Sequence, residues 1–382
     1  MENLEGGKSL VNRFLKALLM SALFCSNLVF AQAEEPTIDD TTSVKEDKSK
    51  GIILLPLLYY TPDTRLAYGA MGVKYFKLRS NKNDKITRLS YTKLLIDYTQ
   101  NKQLDIWASW NIFTSEEKYI IKGEARYRNF PDRYYGIGNN TPIGANEFYA
   151  YDLLTMKILG LKSIGDRMFA GVDYQITNFY NIKKDPEGEL IKGSVPGSFG
   201  GLNSGFGLVF TIDRRDNVFN SHQGMFLELS SYFYKRFLFS DFDFNNYNFT
   251  FNKYYPIKDG HTLAYQVIGN FNTGITPFYN LSPAGGDEIL RGYAKNRYRD
   301  QNFMGTQIEY RFPIWWRFGM VAFAGFGDVF RSYEDFTLSY LKYSYGLGVR
   351  LNLNRKENIN IRLDYGFGLM SQGFYLSIGE AF

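Results

Sequence analysis

Few residues in this sequence are suited to chemistry by type and spacing. One run, Gly285-Gly286-Asp287-Glu288-Ile289-Leu290-Arg291-Gly292-Tyr293, sets an arginine between an apolar residue and a glycine. A guanidinium is a planar fork of donors that keeps its charge, so its chemistry is recognition of a carboxylate rather than bond-making. Away from bulk water it requires such a partner. Further along, Glu309 shares one alternate face with Gln307 and Arg311, while Ile308, Tyr310 and Phe312 occupy the other. The two histidines, His222 and His261, have no serine and carboxylate arranged around them for nucleophilic catalysis. No metal-ligand spacing is evident, and Gly200-Gly201 lacks a phosphate-binding context. We therefore expect a protein that is not an enzyme, with no catalytic residue, no metal and no cofactor.

The elements that would position these residues are exported ones. Lys8, Arg13 and Lys16 precede an apolar run from Ala17 to Phe30, followed by the small residues of Ala31-Gln32-Ala33. That is the layout of a secretory signal over 1–33, cleaved near Ala33, and the run is short for a membrane-crossing helix. Cys25, the only cysteine, lies inside it, so the mature chain would have no thiol and no disulfide. Residues 34–50 are polar and charged and read as a short periplasmic leader.

From Gly51 to Phe382 the pattern has period two. Leu104, Ile106, Ala108, Trp110 and Ile112 alternate with Asp105, Trp107, Ser109 and Asn111; Ile359, Ile361, Leu363 and Tyr365 alternate with Asn360, Arg362 and Asp364. Aromatic residues make up 18% of the chain, yet mean hydropathy is negative. A sheet with lipid on one face and water on the other requires that combination. We expect an all-β fold, a transmembrane antiparallel barrel of about sixteen strands over 51–382. The fifth strand is expected at 118–129, the eleventh at 260–274, the twelfth at 302–312 and the last at 373–382. Long connections at about 130–146, 182–201, 275–301 and 331–340 all follow odd-numbered strands and so lie on one side. Lys122, Arg126, Arg128, Arg350 and Arg362 would face the lumen. The net charge of +5 comes from basic residues scattered among acidic ones, which argues against a nucleic-acid partner.

Together, Leu290-Arg291-Gly292-Tyr293, Glu309-Tyr310-Arg311-Phe312-Pro313 and Phe323-Ala324-Gly325-Phe326-Gly327 resemble the BamA/TamA family, also called the bacterial surface antigen family. The tetrad matches that family's Val/Leu-Arg-Gly-Phe/Tyr signature. Thr211-Ile212-Asp213-Arg214-Arg215-Asp216, followed by Gly224, is similar to its turn before a barrel strand. Phe130 to Thr141 is similar to a loop of short members that would cap the barrel, meet a partner or form an ordered surface loop. The resemblance implies that the sixth extracellular loop folds inward. It also implies that Arg291 meets Glu309 in the lumen and a second acid on the next strand. At that second position stands Gly325, and by alternation Asp328 points the other way. Tyr293 would pack on the inner wall.

A last strand ending in Phe382, with Phe374, Leu376 and Ile378 at alternate positions, resembles the signal read by barrel-assembly machinery; Glu380 departs from it. Pro56 in the first strand, which cannot donate to a ladder, and Gly373 and Gly379 in the last would weaken the seam between them. The segment before Gly51 has no room for the periplasmic POTRA domains of long members, so a short form is expected. The family implies a role in outer-membrane biogenesis, or in protein or lipid transport or insertion. Its partners would be outer-membrane lipids, the machinery that inserts the barrel itself, and a periplasmic or lipoprotein partner. A passive or gated pore and an accessory barrel of an assembly complex are the alternatives.

Overall fold

The structure is a computed structural model that describes residues 50–61, 65–78, 87–142, 144–354 and 358–382. The expected signal sequence, with Cys25 and Ala33, and the expected leader up to residue 49 lie outside the described residues. The strands are β1 Lys50–Thr61, β2 Arg65–Phe76, β3 Ser90–Thr99, β4 Leu104–Phe113, β5 Tyr119–Tyr134 and β6 Glu147–Gly165. They continue as β7 Met168–Lys184, β8 Gly201–Asp213, β9 Gly224–Tyr234, β10 Phe244–Lys258, β11 His261–Gly274 and the short pair β12 Ser282–Ala284 and β13 Tyr298–Asp300. The last are β14 Asn302–Trp315, β15 Phe318–Phe330, β16 Lys342–Asn354, β17 Ile359–Gly368 and β18 Ser371–Ile378.

Sixteen of these form one sheet in which each strand pairs with its neighbour in sequence, always antiparallel; β12 and β13 form a separate hairpin between β11 and β14. The sheet is the wall of a transmembrane barrel. Its outer face exposes Leu94, Ile96, Leu154, Met156, Leu208 and Leu347, as lipid contact requires. Its inner face buries Asp105, Asn252, Gln266, Glu309, Arg311 and Arg350. The alternation legible in the sequence is this two-solvent division. Trp315 and Trp316 are exposed at the turn end of β14, where amphipathic rings suit a membrane interface.

Two boundaries differ from the expected ones for physical reasons. Strand β5 runs on to Tyr134 through Pro131, which pairs by position with Ala150. Strand β18 stops at Ile378, because Gly379 adopts a left-handed φ of 92° and turns the chain. The sorting of long and short connections holds for 135–146, 185–200, 275–301 and 331–341 at one end. At the other end the 77–89 and 214–223 connections are not short, and in the second Asp216 Oδ1 accepts from the backbone N–H groups of Asn217, His222 and Gln223.

The loop end is closed by mutual contacts. Tyr134, Tyr149, Tyr151, Phe179, Leu190 and Phe278 share one buried cluster. The Glu147 carboxylate accepts from the backbone N–H groups of Glu189 and Leu190, at 2.7 and 3.2 Å, which pins the 185–200 loop. The Phe278 N–H donates to the Pro196 carbonyl at 2.9 Å. The 135–146 loop meets the 275–301 loop: Gly138 N–H donates to the Arg299 carbonyl at 2.8 Å, and Arg297 Nη1 to Thr141 Oγ1 at 2.5 Å. The end of the Phe130 to Thr141 segment is thus bonded to the 275–301 loop.

Candidate functional site

The 275–301 loop enters the lumen, and the tetrad is buried there. Leu290, Arg291 and Tyr293 are each at most 1% exposed. Arg291 Nη1 donates to Asp364 Oδ2 at 2.7 Å, and Nη2 donates to Glu309 Oε1 at 2.5 Å and to Gln307 Oε1 at 3.3 Å. Its guanidinium carbon lies 3.6 Å from the centre of the Phe323 ring, so the charge is stacked as well as paired. The second acid is therefore Asp364 on β17, two strands beyond the Gly325 position. Asp328 is buried, contrary to strict alternation, and serves other partners: Lys342 Nζ at 3.2 Å and Asn139 Nδ2 at 3.2 Å.

The backbone of the tetrad is held as closely as its arginine. Gly292 N–H donates to the Tyr375 hydroxyl at 2.9 Å, and that hydroxyl donates to the Tyr293 carbonyl at 2.7 Å. Ser371 Oγ donates to the Gly292 carbonyl at 2.7 Å, and Ser344 Oγ to the Arg291 carbonyl. The Tyr293 hydroxyl donates to the Tyr343 carbonyl at 3.0 Å and accepts from Leu369 N–H at 2.8 Å. Close approach demands glycine on both sides. Gly292 has φ 116°, and a Cβ at Gly366 would stand 2.6 Å from the Arg291 carbonyl carbon.

Around this contact the ions form a balanced set. Glu309 also accepts from Arg311 Nε at 2.8 Å, and Asp364 from Arg350 Nη1 at 2.5 Å. Arg350 Nε donates to Glu380 Oε2 at 2.7 Å, and Arg362 Nη2 to Asp287 Oδ2 at 2.8 Å. Arg291, Arg311, Arg350 and Arg362 thus face Glu309, Asp364, Glu380 and Asp287, with no excess of either sign. Outside the spanning strands, burial first and the Asp287 charge second raise the Glu288 carboxyl above its ordinary range.

The C-terminal residues part company in the structure. Phe374 and Leu376 face outward and are exposed. Phe382 does not continue that face, which corrects the expectation. The turn at Gly379 carries the tail inward, where Asn360 Nδ2 donates to Glu380 Oε1 at 2.7 Å and Arg311 Nη2 donates to the Phe382 carbonyl at 3.0 Å. Glu380, the residue that broke the pattern, is the one the inner cations hold. Pro56 pairs by position with Ala70 in β1 and β2, and Gly373 with Gly366 in β17. Strands β1 and β18 are the two edges of the sheet, and no ladder joins them among the described residues.

Elsewhere, Asp213 and Arg215 of the family-like turn pair at 2.8 Å, and Arg88 joins Asp213 to Glu117. Lys122 stands on the lumen wall, and Arg126 and Arg128 pair with Asp105. His222 Nδ1 lies 2.8 Å from Thr262 Oγ1 and His261 Nδ1 2.7 Å from the Tyr310 hydroxyl. Among the described residues no group of His, Cys, Asp and Glu is placed to hold a metal ion.

A family model described as the Omp85 superfamily domain matches residues 81–382. No curated protein matches the chain by sequence. Solved structures do match by fold. BamA from Haemophilus ducreyi lacking POTRA domains 1–3 aligns with TM-score 0.57 at 11% identity, over 86% of this chain and 69% of that one. CdiB from Acinetobacter baumannii gives 0.52 at 10%, over 86% and 65%, and CdiB from Escherichia coli 0.57 at 10%, over 88% and 63%. The chain thus spans about two thirds of the length of these structures.

Removing one member of a buried ion pair leaves the other charged and unpaired, at a cost of about 3–5 kcal/mol. Arg291→Ala leaves Glu309 to Arg311 alone and Asp364 to Arg350 and Arg362, so the heat resistance of the folded form on a gel should fall by up to that order. Arg291→Lys, which keeps the charge but loses the fork, should fall between. An unchanged unfolding midpoint in Arg291→Ala would sink the clamp. Gly366→Ala should reproduce the loss without touching an ion, because its methyl group meets the Arg291 backbone. A Gly366→Ala protein as heat-resistant as the parent would show that loop six does not seat there.

Proposed function

This chain belongs to the Omp85 superfamily and is an outer-membrane β-barrel of that type, and from that premise we propose that it acts in membrane insertion or transport beside a weak seam. The observation that carries the reading is the clamped loop. Arg291 joins β14 to β17, and Gly292 and Tyr293 are tied to Ser371 and Tyr375 of β18, so the plug is fastened to the strand at the sheet edge. A pore needs an open path, whereas this lumen is crossed by a loop with its charges internally neutralised.

The seam supports the same reading. Strand β1 spans Lys50–Thr61 and β18 only Ser371–Ile378, with Pro56 in one and the Gly379 turn ending the other. Edge groups left unpaired there would accept a client strand, or thin the bilayer beside them. Outer-membrane lipids are the surroundings of that seam, and a periplasmic or lipoprotein partner would meet the turn end. Barrel-assembly machinery would insert the chain itself, reading Phe374, Leu376 and Ile378, with Phe382 turned inward. The pore and accessory-barrel readings become outcomes of the tests.

Planar-bilayer recording of the purified protein should give small, flickering conductance that rises when residues 275–301 are deleted. A large, steady conductance in the intact chain would favour the pore. In a second test, vesicles holding the barrel should speed the folding of an added unfolded outer-membrane barrel relative to empty vesicles. A disulfide engineered between β1 and β18 should remove the gain. Equal rates with and without the chain would leave no insertion activity to explain.

A further inference from the structure

The tetrad of loop six is anchored on the side of the lumen lined by β14 to β18, and the start of the loop crosses a side lined differently. Between β7, β9, β10, β11 and the start of loop six lies a cavity of about 360 Å³. Its strand side is Gln175, Tyr232, Tyr234, Asn246, Asn248 and Asn270, and the loop lays Tyr279 and Asn280 across it. None of the residues lining it is charged, although ion pairs occupy the lumen elsewhere.

The amides are held in a ring. Asn246 Nδ2 donates to Asn270 Oδ1 at 3.0 Å, Asn270 Nδ2 to Asn248 Oδ1 at 2.7 Å, and Asn248 Nδ2 to Asn246 Oδ1 at 2.7 Å. Ser230 and Asn272 extend it at 3.1 and 2.9 Å. Each amide oxygen has two lone pairs and each amide nitrogen two hydrogens. The ring therefore leaves Asn246 Oδ1 and Asn248 Oδ1 one acceptor site each and Asn270 one N–H, in fixed positions. The tyrosines are fixed too: Tyr232 donates to Asp173 Oδ2 at 2.9 Å, and Tyr234 to Gln175 Oε1 at 3.1 Å. Tyr234 is covered by Phe244, stacked at 4.3 Å, and by Gly205, so the flat apolar surface beside the amides is that of Tyr232.

We propose that this cavity is a binding site for an uncharged saccharide, of about one to two sugar rings by volume. Hydroxyl groups donate and accept together, as the spare amide positions require, and sugar ring faces stack on tyrosine. A charged ligand would find no counter-ion in the lining to offset its desolvation. An apolar one would strand the spare amide groups. The residues lie on the lumen side of the strands, so the occupant is a soluble sugar or glycan chain rather than the headgroup of a lipid in the bilayer. Such a site needs neither the seam nor insertion.

The protein in nanodiscs is titrated with maltose and with N,N′-diacetylchitobiose, followed by saturation-transfer NMR, with glucose 6-phosphate as the charged control. The expected result is transfer to the ring protons of at least one neutral disaccharide and none to the phosphate. Asn270→Leu, which breaks the ring of amides, should weaken that binding by at least about tenfold, or 1.4 kcal/mol, while keeping the folded gel mobility. Where that variant fails to fold, Asn248→Ser gives the same reading with a smaller change. No transfer from either sugar, equal transfer to glucose 6-phosphate, or unchanged affinity in the folded variants would each overturn the proposal.

Discussion

The rest of the structure depends on one buried guanidinium. Arg291 is fully enclosed, and a charge in that position is tolerated only because two carboxylates, an amide oxygen and an aromatic face surround it. Each partner is in turn fixed by another group. Glu309 is shared with Arg311, and Asp364 with Arg350. Desolvation makes such a set all-or-none: with every charge matched it specifies one geometry, and with one missing the neighbours are left exposed to the same penalty. The loop that carries Arg291 is thereby held at one depth and in one orientation.

The same economy explains the end of the chain. A strand that continued outward past Ile378 would leave Arg350 without its second carboxylate. Turning at Gly379 brings Glu380 to Arg350 and Asn360, and the Phe382 ring to within 5.2 Å of the Arg311 guanidinium. The tail and the tetrad therefore draw on one set of cations. Whatever moves the tail acts on Arg350, and through Asp364 on Arg291.

Much of the wall was legible in the sequence because lipid and water impose period two on every strand, and no other packing averages that signal away. The pairing partner Glu309 was legible as well, since it stands on the polar face of a strand with Gln307 and Arg311. Asp364 was not. Its alternation with Leu363 and Tyr365 marked it as inward, but nothing local says which of many inward acids meets a given arginine. That pairing is set by strand order and register, which bring β17 and the tetrad together across a long stretch of chain. The inward Phe382 was missed because the alternation was continued through Gly379, where a positive φ breaks it. Glu380 carried the warning: a charged residue on a face otherwise apolar.

The absence of an acid at Gly325 is a matter of room. A Cβ there would stand 2.8 Å from the Thr306 carbonyl oxygen and 2.9 Å from the Gln307 Cβ, so the site cannot take a carboxylate without moving β14. Gln307 reaches Arg291 in its place with a neutral oxygen, and the second charge comes from β17. Relocation changes the mechanics of the clamp. An arginine held between β14 and β15 would join neighbours that the ladder already joins. Held between β14 and β17, it braces an arc of four strands, and its flanking backbone is tied to Ser371 and Tyr375 on β18. Loop six is thus tied to the edge strand directly.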